Sequence, residues 1–385
     1  MTQFIPYEHL TWPEVVELPR TTPLIIPLGD GYDRQKLAEA LGTPQRAALL
    51  PPLPFGWRGS GLAVPEPLLG RLLSNLLHSL RDDGFRHVYA LTPPDLDLGL
   101  GAARIVLPHE TYVRRAAAAP PHERRDSVVL IPVGHTEQHA YHLPLCTDTV
   151  IIEAIARGTE QAAPQLAVAL PTFPYGVSTH RPSFAGTLNA GGRAFEDFWL
   201  GVLDVLVARG FDRFYLMSGH GGNVSFLVNV VKYAGERHRR IFCATAWLHT
   251  SGKQGAQALA ERRRSPRGGM GHAGELETAL MLHLAPELVH MDRAVDEMDF
   301  ISTENYYMDW IEGGALVANP PWDDDTISGA YGAGSVATAE NGRAWLETAV
   351  AEKAAHVREI HEQQRRREER RRGGYGLWGT EPEKG

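Results

Sequence analysis

Carboxylate and imidazole side chains are concentrated in the segment GHTEQHAYHLPLCTD, which spans residues 134–148. Glu137 and His139 are two residues apart, so in an extended backbone their side chains face the same side. Asp148 follows at the predicted start of a helix. A carboxylate, an imidazole and a second carboxylate on one loop suit a divalent cation such as zinc, manganese or iron. The alternative is a polar loop whose histidines are merely solvated.

Two further clusters contain histidine. His220 lies within SGHGGN, where the glycines let the backbone pass close to a ligand, and a phosphate-binding loop would need a lysine that this segment lacks. The segment GGMGHAGELET carries His272 and Glu275 three residues apart, on one face of a helical turn, and Glu277 on another face. Taken alone, this third cluster could equally be a capping arrangement before an apolar helix.

Alternating strands and helices are predicted to position these clusters. Continuous apolar strands that alternate with amphipathic helices indicate an α/β fold, a three-layer αβα arrangement with a mostly parallel central sheet. The first two clusters then lie at the carboxyl ends of strands, where open α/β sheets place their sites. The predicted strands are 23–29, 86–91, 127–134 and 213–217, and the predicted helices are 68–82, 148–163, 195–209, 224–234 and 337–362.

The strands also recur as an internal repeat. The repeated pairs are PLIIPLG and VVLIPVG, LLPPLPFG and ALPTFPYG, and GFRHVYALTP and GFDRFYLMSG, at offsets of 105, 120 and 126 residues. Their order is preserved, and the growing offset requires only insertions in the second copy. The alternative is a chance likeness between any two βα units. We expect a duplication, with a smaller N-terminal α/β pseudo-repeat.

Five segments together resemble the creatininase (creatinine amidohydrolase) family of metal-dependent hydrolases. They are LIPVGHTEQHAYHLPLCTDT, LPTFPYGVSTHRPSFAGTLN, MSGHGGN, HAGELETALML with PELV after it, and SVATAENGRAWLE, in that order between about residues 111 and 360. The resemblance implies a compact αβα fold, a cytoplasmic location, a homo-oligomer that is often a hexamer, and two divalent metal ions per site.

The resemblance also implies roles for individual residues. Asp148 would be the carboxylate that bridges the two metal ions, and His272 would handle protons beside the substrate. The implied metal ligands are Glu137, His139, Asp148 and His220. The residues expected to bind the substrate are His180, Tyr175 and Ser178.

One ligand of the family is missing from this chain. In creatininase itself a glutamate lies two residues after the histidine that matches His220, and here that position is Gly222. We expect Glu275 to fill the vacancy, as a metal ligand and a catalytic carboxylate, with Glu277 in reserve. The missing ligand argues against creatinine itself as the substrate.

The repeat divides the chain into three expected regions. Residues 1–105 would form a degenerate, metal-free creatininase-like half domain, residues 106–362 the catalytic domain, and residues 363–385 a charged, flexible tail. The half domain should bind no metal because other residue types stand opposite the ligands. At the offsets given above, Tyr32, Arg34 and Pro94 are aligned with Glu137, His139 and His220.

The composition excludes several classes of protein. The chain has 385 residues, is 43% hydrophobic and 22% charged, and carries a net charge of −8, which argues against general affinity for nucleic acid. No apolar run reaches the roughly 18 residues of a membrane helix, the first residues lack the pattern of a secretory signal, and two cysteines cannot build a disulfide framework. We expect a cytoplasmic protein with a small-molecule substrate and no nucleic-acid or membrane partner.

The expected chemistry is hydrolysis by metal-activated water. The bond would be a non-peptide C–N amide in a cyclic amide, a formamide or a small-peptide substrate. The family also includes a ring-opening hydrolase of a cyclic ketone, so C–C cleavage stays open on the same site. The opposing class is a non-catalytic scaffold, which would have no reason to bind metal.

Overall fold

The structure is a computed structural model that describes residues 1–108, 118–179, 183–249 and 252–374. The strands within these ranges are β1 (Gln3–Pro6), β2 (Leu24–Pro27), β3 (Arg46–Leu49), β4 (Val88–Thr92), β5 (Arg104–Val106), β6 (Val128–Val133), β7 (Ala167–Ala169), β8 (Arg213–Ser218) and β9 (Phe242–Thr245). The helices are α1 (Trp12–Glu17), α2 (Arg34–Ala40), α3 (Glu66–Asp82), α4 (Thr147–Ala162), α5 (Gly192–Ala208), α6 (Val224–Arg237), α7 (Lys253–Arg262), α8 (Glu275–Leu284) and α9 (Ala339–Arg372).

The described strands form two parallel sheets. The first has the order β1-β3-β2-β4-β5 and the second has the order β7-β6-β8-β9. All of their strand pairings are parallel. The predicted α/β fold with parallel sheets flanked by helices is therefore confirmed. None of the described helices is both long and apolar enough to cross a membrane.

Both faces of the second sheet are covered, which explains its continuous apolar strands. Val129 and Ile131 of β6 belong to a core shared with α5 and α6. The alternating residues Val128 and Leu130 belong to a second core with α4, α8 and α9. Successive side chains of a strand point to opposite faces, so β6 has no solvated face and can carry polar groups only beyond its ends.

The two sheets share strand order and register. The order β3-β2-β4-β5 of the first sheet corresponds to β7-β6-β8-β9 of the second. Leu24 pairs with Ala48 and with Val88. Shifted by the sequence offsets of 105, 120 and 126 residues, these become pairs that the second sheet also contains, Val129–Val168 and Val129–Phe214.

Helices α3 and α5 occupy equivalent places in the two halves and pack against each other between the sheets. Adding the offset of 126 to the bounds of α3 gives the bounds of α5. Arg71 faces its own equivalent, Asp197, and donates a hydrogen bond to it at 2.8 Å. Contact between equivalent surfaces is the geometry of an isologous dimer interface, here formed within one chain.

Helix α9 continues beyond the predicted end at residue 362. Arg365 and Arg366 pair with Glu362 across one helical turn, at 2.8 and 2.6 Å. Gln364 is fully buried and donates to the Arg240 carbonyl oxygen at 2.6 Å. These contacts keep residues 363–372, which we expected in a flexible tail, within the helix. Residues 375–385 lie outside the described residues.

A half-buried glutamate near the N-terminus makes stability depend on pH. Burial raises the pKa of Glu8 from 4.5 to about 7, and its Oε2 has no hydrogen-bond partner among the described residues. The folded chain therefore holds a proton that the unfolded chain releases. The stability that Glu8 contributes is complete below pH 4.5 and is lost as the pH rises through 7.

We expect Glu8→Gln to stabilise the fold above pH 8, by about 2 kcal/mol, and to change little at pH 4.5. Thermal or urea unfolding of both proteins at the two pH values measures the difference. Glu17→Gln is the matched control, because Glu17 is exposed on the neighbouring helix α1. Equal effects of Glu8→Gln at both pH values would show that ionisation of Glu8 does not limit stability.

Candidate metal centre

Three carboxylates and several imidazoles converge beside the carboxyl ends of β6 and β8. Glu137 and His139 lie on the loop that follows β6, and His220 lies directly after β8. The other members come from the first turn of α4, the loop before α8 and the first turn of α8, and they are Asp148, His272 and Glu277. The structure thus brings together the predicted residues Glu137, His139, Asp148, His220 and His272.

Two glycines allow the backbone to come this close. A Cβ at Gly219 would lie 2.3 Å from the Asp148 carbonyl oxygen, so a larger residue would push β8 away from α4. A Cβ at Gly222 would lie 2.4 Å from both His220 Nε2 and the Val177 carbonyl oxygen. A glutamate therefore does not fit at position 222 on this backbone.

The imidazoles of His139 and His220 are each oriented by a backbone carbonyl. Since a carbonyl oxygen can only accept, His139 Nδ1 donates to the Glu137 carbonyl at 3.1 Å and His220 Nε2 donates to the Val177 carbonyl at 3.0 Å. The other ring nitrogens face carboxylates. His139 Nε2 lies 3.1 Å from Asp148 Oδ1, and His220 Nδ1 lies 2.9 Å from Glu137 Oε1.

His272 follows the same pattern. Its Nε2 donates to the Gln138 carbonyl at 2.8 Å, and its Nδ1 lies 3.6 Å from Glu137 Oε1. Trp322 packs edge-on against the imidazole with ring centroids 4.8 Å apart. A histidine that ligates a metal usually donates its second N–H to a carbonyl or carboxylate in this way.

The carboxylates of Glu137, Asp148 and Glu277 are almost completely buried. Within the described ranges, their ion-pair partners are histidines, and neither lysine nor arginine pairs with them. Three groups of potential ligand atoms lie within 4.8 Å of one another: His135, Glu137 and His220; Glu137, His139 and His272; and His139, Asp148 and Glu277.

The buried charges shift the pKa of their neighbours. Burial would lower the pKa of His139, but the Asp148 carboxylate raises it to about 9. Burial would also lower the pKa of His220, but Glu137 and Asp148 hold it well above its usual range. Burial raises the pKa of Glu137. The site therefore strongly favours positive charge at its centre.

The residues fit divalent metal ions on three grounds. Their nitrogen and carboxylate donors suit zinc, manganese or iron. Three imidazoles have one nitrogen fixed by a carbonyl, which leaves the other for a ligand bond. Glu137 Oε1 and Asp148 Oδ2 are buried and both face His220 Nδ1, at 2.9 and 3.3 Å. Cations would satisfy both the charge and these atoms.

The structure places the Glu275 carboxylate outside the three groups of potential ligand atoms. The Glu275 carboxylate is fully buried but accepts hydrogen bonds from the backbone N–H groups of Arg264, at 2.9 Å, and Ser265, at 2.7 Å. Ala273 has a φ of 52°, and α8 begins only at Glu275, so His272 and Glu275 do not share one helical face. The reserve candidate Glu277 occupies the place in the cluster.

The three expected substrate-binding residues have different outcomes. Tyr175 is fully buried and donates its hydroxyl to the Pro51 carbonyl, so it connects the two halves instead of facing the cluster. Ser178 is buried beside Val177, and its hydroxyl has no hydrogen-bond partner among the described residues. His180 lies outside the described residues.

Sequence reasoning missed two histidines of this region. His135 accepts a hydrogen bond from the Gly176 N–H at its Nδ1, and its Nε2 lies 3.8 Å from Glu137 Oε2. Its spacing, two residues before Glu137, was a usable signal. His249, whose Nε2 lies 3.9 Å from Glu277 Oε1, belongs to none of the three motifs.

Comparison with known proteins adds a family assignment. The model of the creatininase family, described as creatinine amidohydrolase, matches residues 114–357. The mycofactocin precursor peptide peptidase of Mycobacterium ulcerans (strain Agy99) is 35% identical over 173 residues, which is 43% of this chain and 61% of the relative. The chain thus spans about three fifths of the length of that relative.

Two further comparisons concern creatininase itself. The creatinine amidohydrolase of Pseudomonas putida is 29% identical over 201 residues, covering 48% of this chain and 72% of the relative. A solved structure titled "Creatininase Mn" superposes with a TM-score of 0.51 and 25% identity, covering 62% of this chain and 92% of the other.

The structure places Glu277 in the cluster and Glu275 outside it. We expect Glu277→Gln to lower the bound divalent metal by about one equivalent, or to weaken the binding of one metal ion at least tenfold, because one charged donor is lost. Glu275→Gln should leave the metal content unchanged and lower the stability by about 1.5–3 kcal/mol, the usual value of hydrogen bonds to a charged group.

Elemental analysis after dialysis and chemical unfolding of the two variants measure both quantities. The variants control for each other, since they remove the same charge two residues apart on α8. Metal loss in Glu275→Gln with full retention in Glu277→Gln would reverse the assignment.

Proposed function

Because the chain belongs to the creatininase family, we propose that it is a metal-dependent hydrolase that cleaves an amide C–N bond in a small molecule or short peptide. Two divalent cations, of zinc, manganese or iron, would be held by the ligand set Glu137, His139, Asp148, His220 and Glu277. One observation carries the proposal: three buried carboxylates without a described lysine or arginine partner face imidazoles whose second nitrogen is fixed by a carbonyl.

The surroundings of the site support a substrate other than creatinine. The relatives' names include both a peptide peptidase and a creatinine amidohydrolase. Position 222 cannot hold the glutamate of creatininase on this backbone. Trp247 and Trp310 pack with ring centroids 5.8 Å apart, and a Cβ at Gly221 would lie 3.6 Å from Trp310 and 4.0 Å from Trp247. We propose a cyclic amide, a formamide or a small peptide with an apolar group against these rings.

The mechanism assigns a proton-transfer role to His272. Bound cations would polarise the amide carbonyl and lower the pKa of water from 15.7 to about 7. Burial is the larger cause and the nearby His139 the smaller cause that hold the pKa of His272 well below its usual range. Its imidazole is therefore neutral at pH 7. With Nε2–H donated to Gln138, Nδ1 can take the proton of the attacking water and give it to the leaving nitrogen.

We further propose that residues 1–105 are a decayed, metal-free copy of the front of the catalytic domain, which would span residues 106–362. The shared register of the sheets and the α3–α5 contact support the duplication. At the aligned ligand positions stand Tyr32, Arg34 and Pro94, of which the arginine repels a cation and the proline has no donor atom.

We expect the purified protein to bind about two equivalents of divalent metal, and none in its N-terminal half. Removal by a chelator should abolish hydrolysis across a panel of cyclic amides, N-formyl compounds and short peptides, and re-addition of zinc, manganese or iron should restore it. A protein without metal would support a scaffold. Turnover of a cyclic ketone alone would support C–C cleavage.

His272→Ala should reduce turnover of the substrate found in that panel by about 10²–10⁴-fold, the usual contribution of a general acid–base residue. The bound metal should remain near two equivalents, because the other ligands are intact. Steady-state kinetics and elemental analysis on the same preparation measure both effects. Loss of metal in His272→Ala would make His272 a ligand instead.

A further inference from the structure

His249 is a buried histidine that the proposed mechanism does not use. It follows β9, four residues after the end of that strand, and is only 1% exposed. Neither of its ring nitrogens has a hydrogen-bond partner in the part of the chain that the structure describes. A buried polar group without a partner costs free energy, so an imidazole held this way calls for a ligand.

The side chain next to His249 is Glu277. Glu277 Oε1 lies 3.9 Å from His249 Nε2, whereas Glu277 Oε2 accepts a hydrogen bond from the Ala273 N–H and lies 3.8 Å from His139 Nε2. One carboxylate therefore links His249 to the cluster, with one oxygen turned to each imidazole. A distance of 3.9 Å is too long for a hydrogen bond between His249 and Glu277.

The same distance is suitable for two ligands of one metal ion. Nitrogen and oxygen ligands lie about 2.0–2.2 Å from zinc, so two ligands on one ion lie about 3.3–3.6 Å apart at a tetrahedral angle and up to about 4.3 Å apart at wider angles. The separation of His249 Nε2 and Glu277 Oε1 falls at the wide end of this range. His249 is not in the group of His139, Asp148 and Glu277, whose ligand atoms all lie within 4.8 Å of one another, so its imidazole must move toward them to share their ion.

We infer that His249 is a ligand of the cation shared with His139, Asp148 and Glu277. The inference rests on the proposed metal site and extends it to a residue outside the three sequence motifs. The resulting set has two imidazoles and two carboxylates, a combination that suits zinc better than the oxygen-rich sets of magnesium or calcium. His249 also gives this cation a ligand from the segment that follows β9, the edge strand of the second sheet.

The test compares His249→Ala with His142→Ala. His142 is the matched control, since it is buried in the same region but its Nε2 bonds to Thr278 Oγ1 at 2.9 Å. Metal-free preparations of both variants and of the wild type are titrated with Zn²⁺ against a chromophoric chelator and with Co²⁺ by visible absorption. The melting temperature of each metal-free preparation reports whether it is folded.

We expect His249→Ala to bind one of the two cations at least tenfold more weakly and to change the Co²⁺ spectrum, while His142→Ala matches the wild type. Added imidazole should restore binding to His249→Ala, which a merely structural role would not allow. Should metal-free His249→Ala be unfolded, His249→Gln, which keeps a buried polar side chain, takes its place.

Unchanged affinity for both cations in the folded His249 variant would overturn the assignment of His249. Weaker binding that added imidazole does not restore would also overturn it. Absence of binding in the wild type would instead reject the proposed metal-dependent function. The two failures are therefore distinguishable, and neither depends on knowing the substrate.

Discussion

The burial of Glu137, Asp148 and Glu277 around shared histidines constrains the rest of the site. Removing a carboxylate from water costs several kcal/mol unless an opposite charge compensates it. Imidazoles are the groups that pair with these carboxylates in the described structure, and each of the three nearest commits one nitrogen to a backbone carbonyl. The remaining nitrogens and the carboxylate oxygens therefore share one central volume, and cations placed there compensate both.

The N-terminal half supports the loops that hold this arrangement. The Leu145 and Cys146 N–H groups, just before α4 and Asp148, donate to the carbonyls of Leu10 at 2.9 Å and Glu8 at 3.0 Å. On the other side, the Tyr175 hydroxyl donates to the Pro51 carbonyl oxygen. Tyr175 lies two residues before Val177, whose carbonyl orients His220. The N-terminal half therefore holds the backbone just before Asp148 and the segment whose carbonyl orients His220.

The fold was predictable because its constraints are local and periodic. Strands covered on both faces are continuously apolar, and the offsets between the repeated segments match the register of both sheets. The cluster was predictable where its members follow strand ends, as for Glu137, His139 and His220. Rules for a continuous helix failed at Glu275, because a left-handed Ala273 precedes the first turn of α8. His249 carries no local signal, since only the folding of β9 beside β8 brings it to Glu277.

The contrast between the halves separates what the fold requires from what chemistry requires. Gly84 and Gly210 are equivalent residues after α3 and α5, and both have a φ of 92°, a conformation that L side chains rarely adopt. Both halves therefore need glycine there, whatever their function. The ligand positions carry no such requirement, because a strand end tolerates many residue types. In the first half, Tyr32 packs against the apolar side of its sheet and Arg34 begins α2. At the aligned positions the first half thus serves packing and helix formation, where the second half has a carboxylate and an imidazole in its cluster.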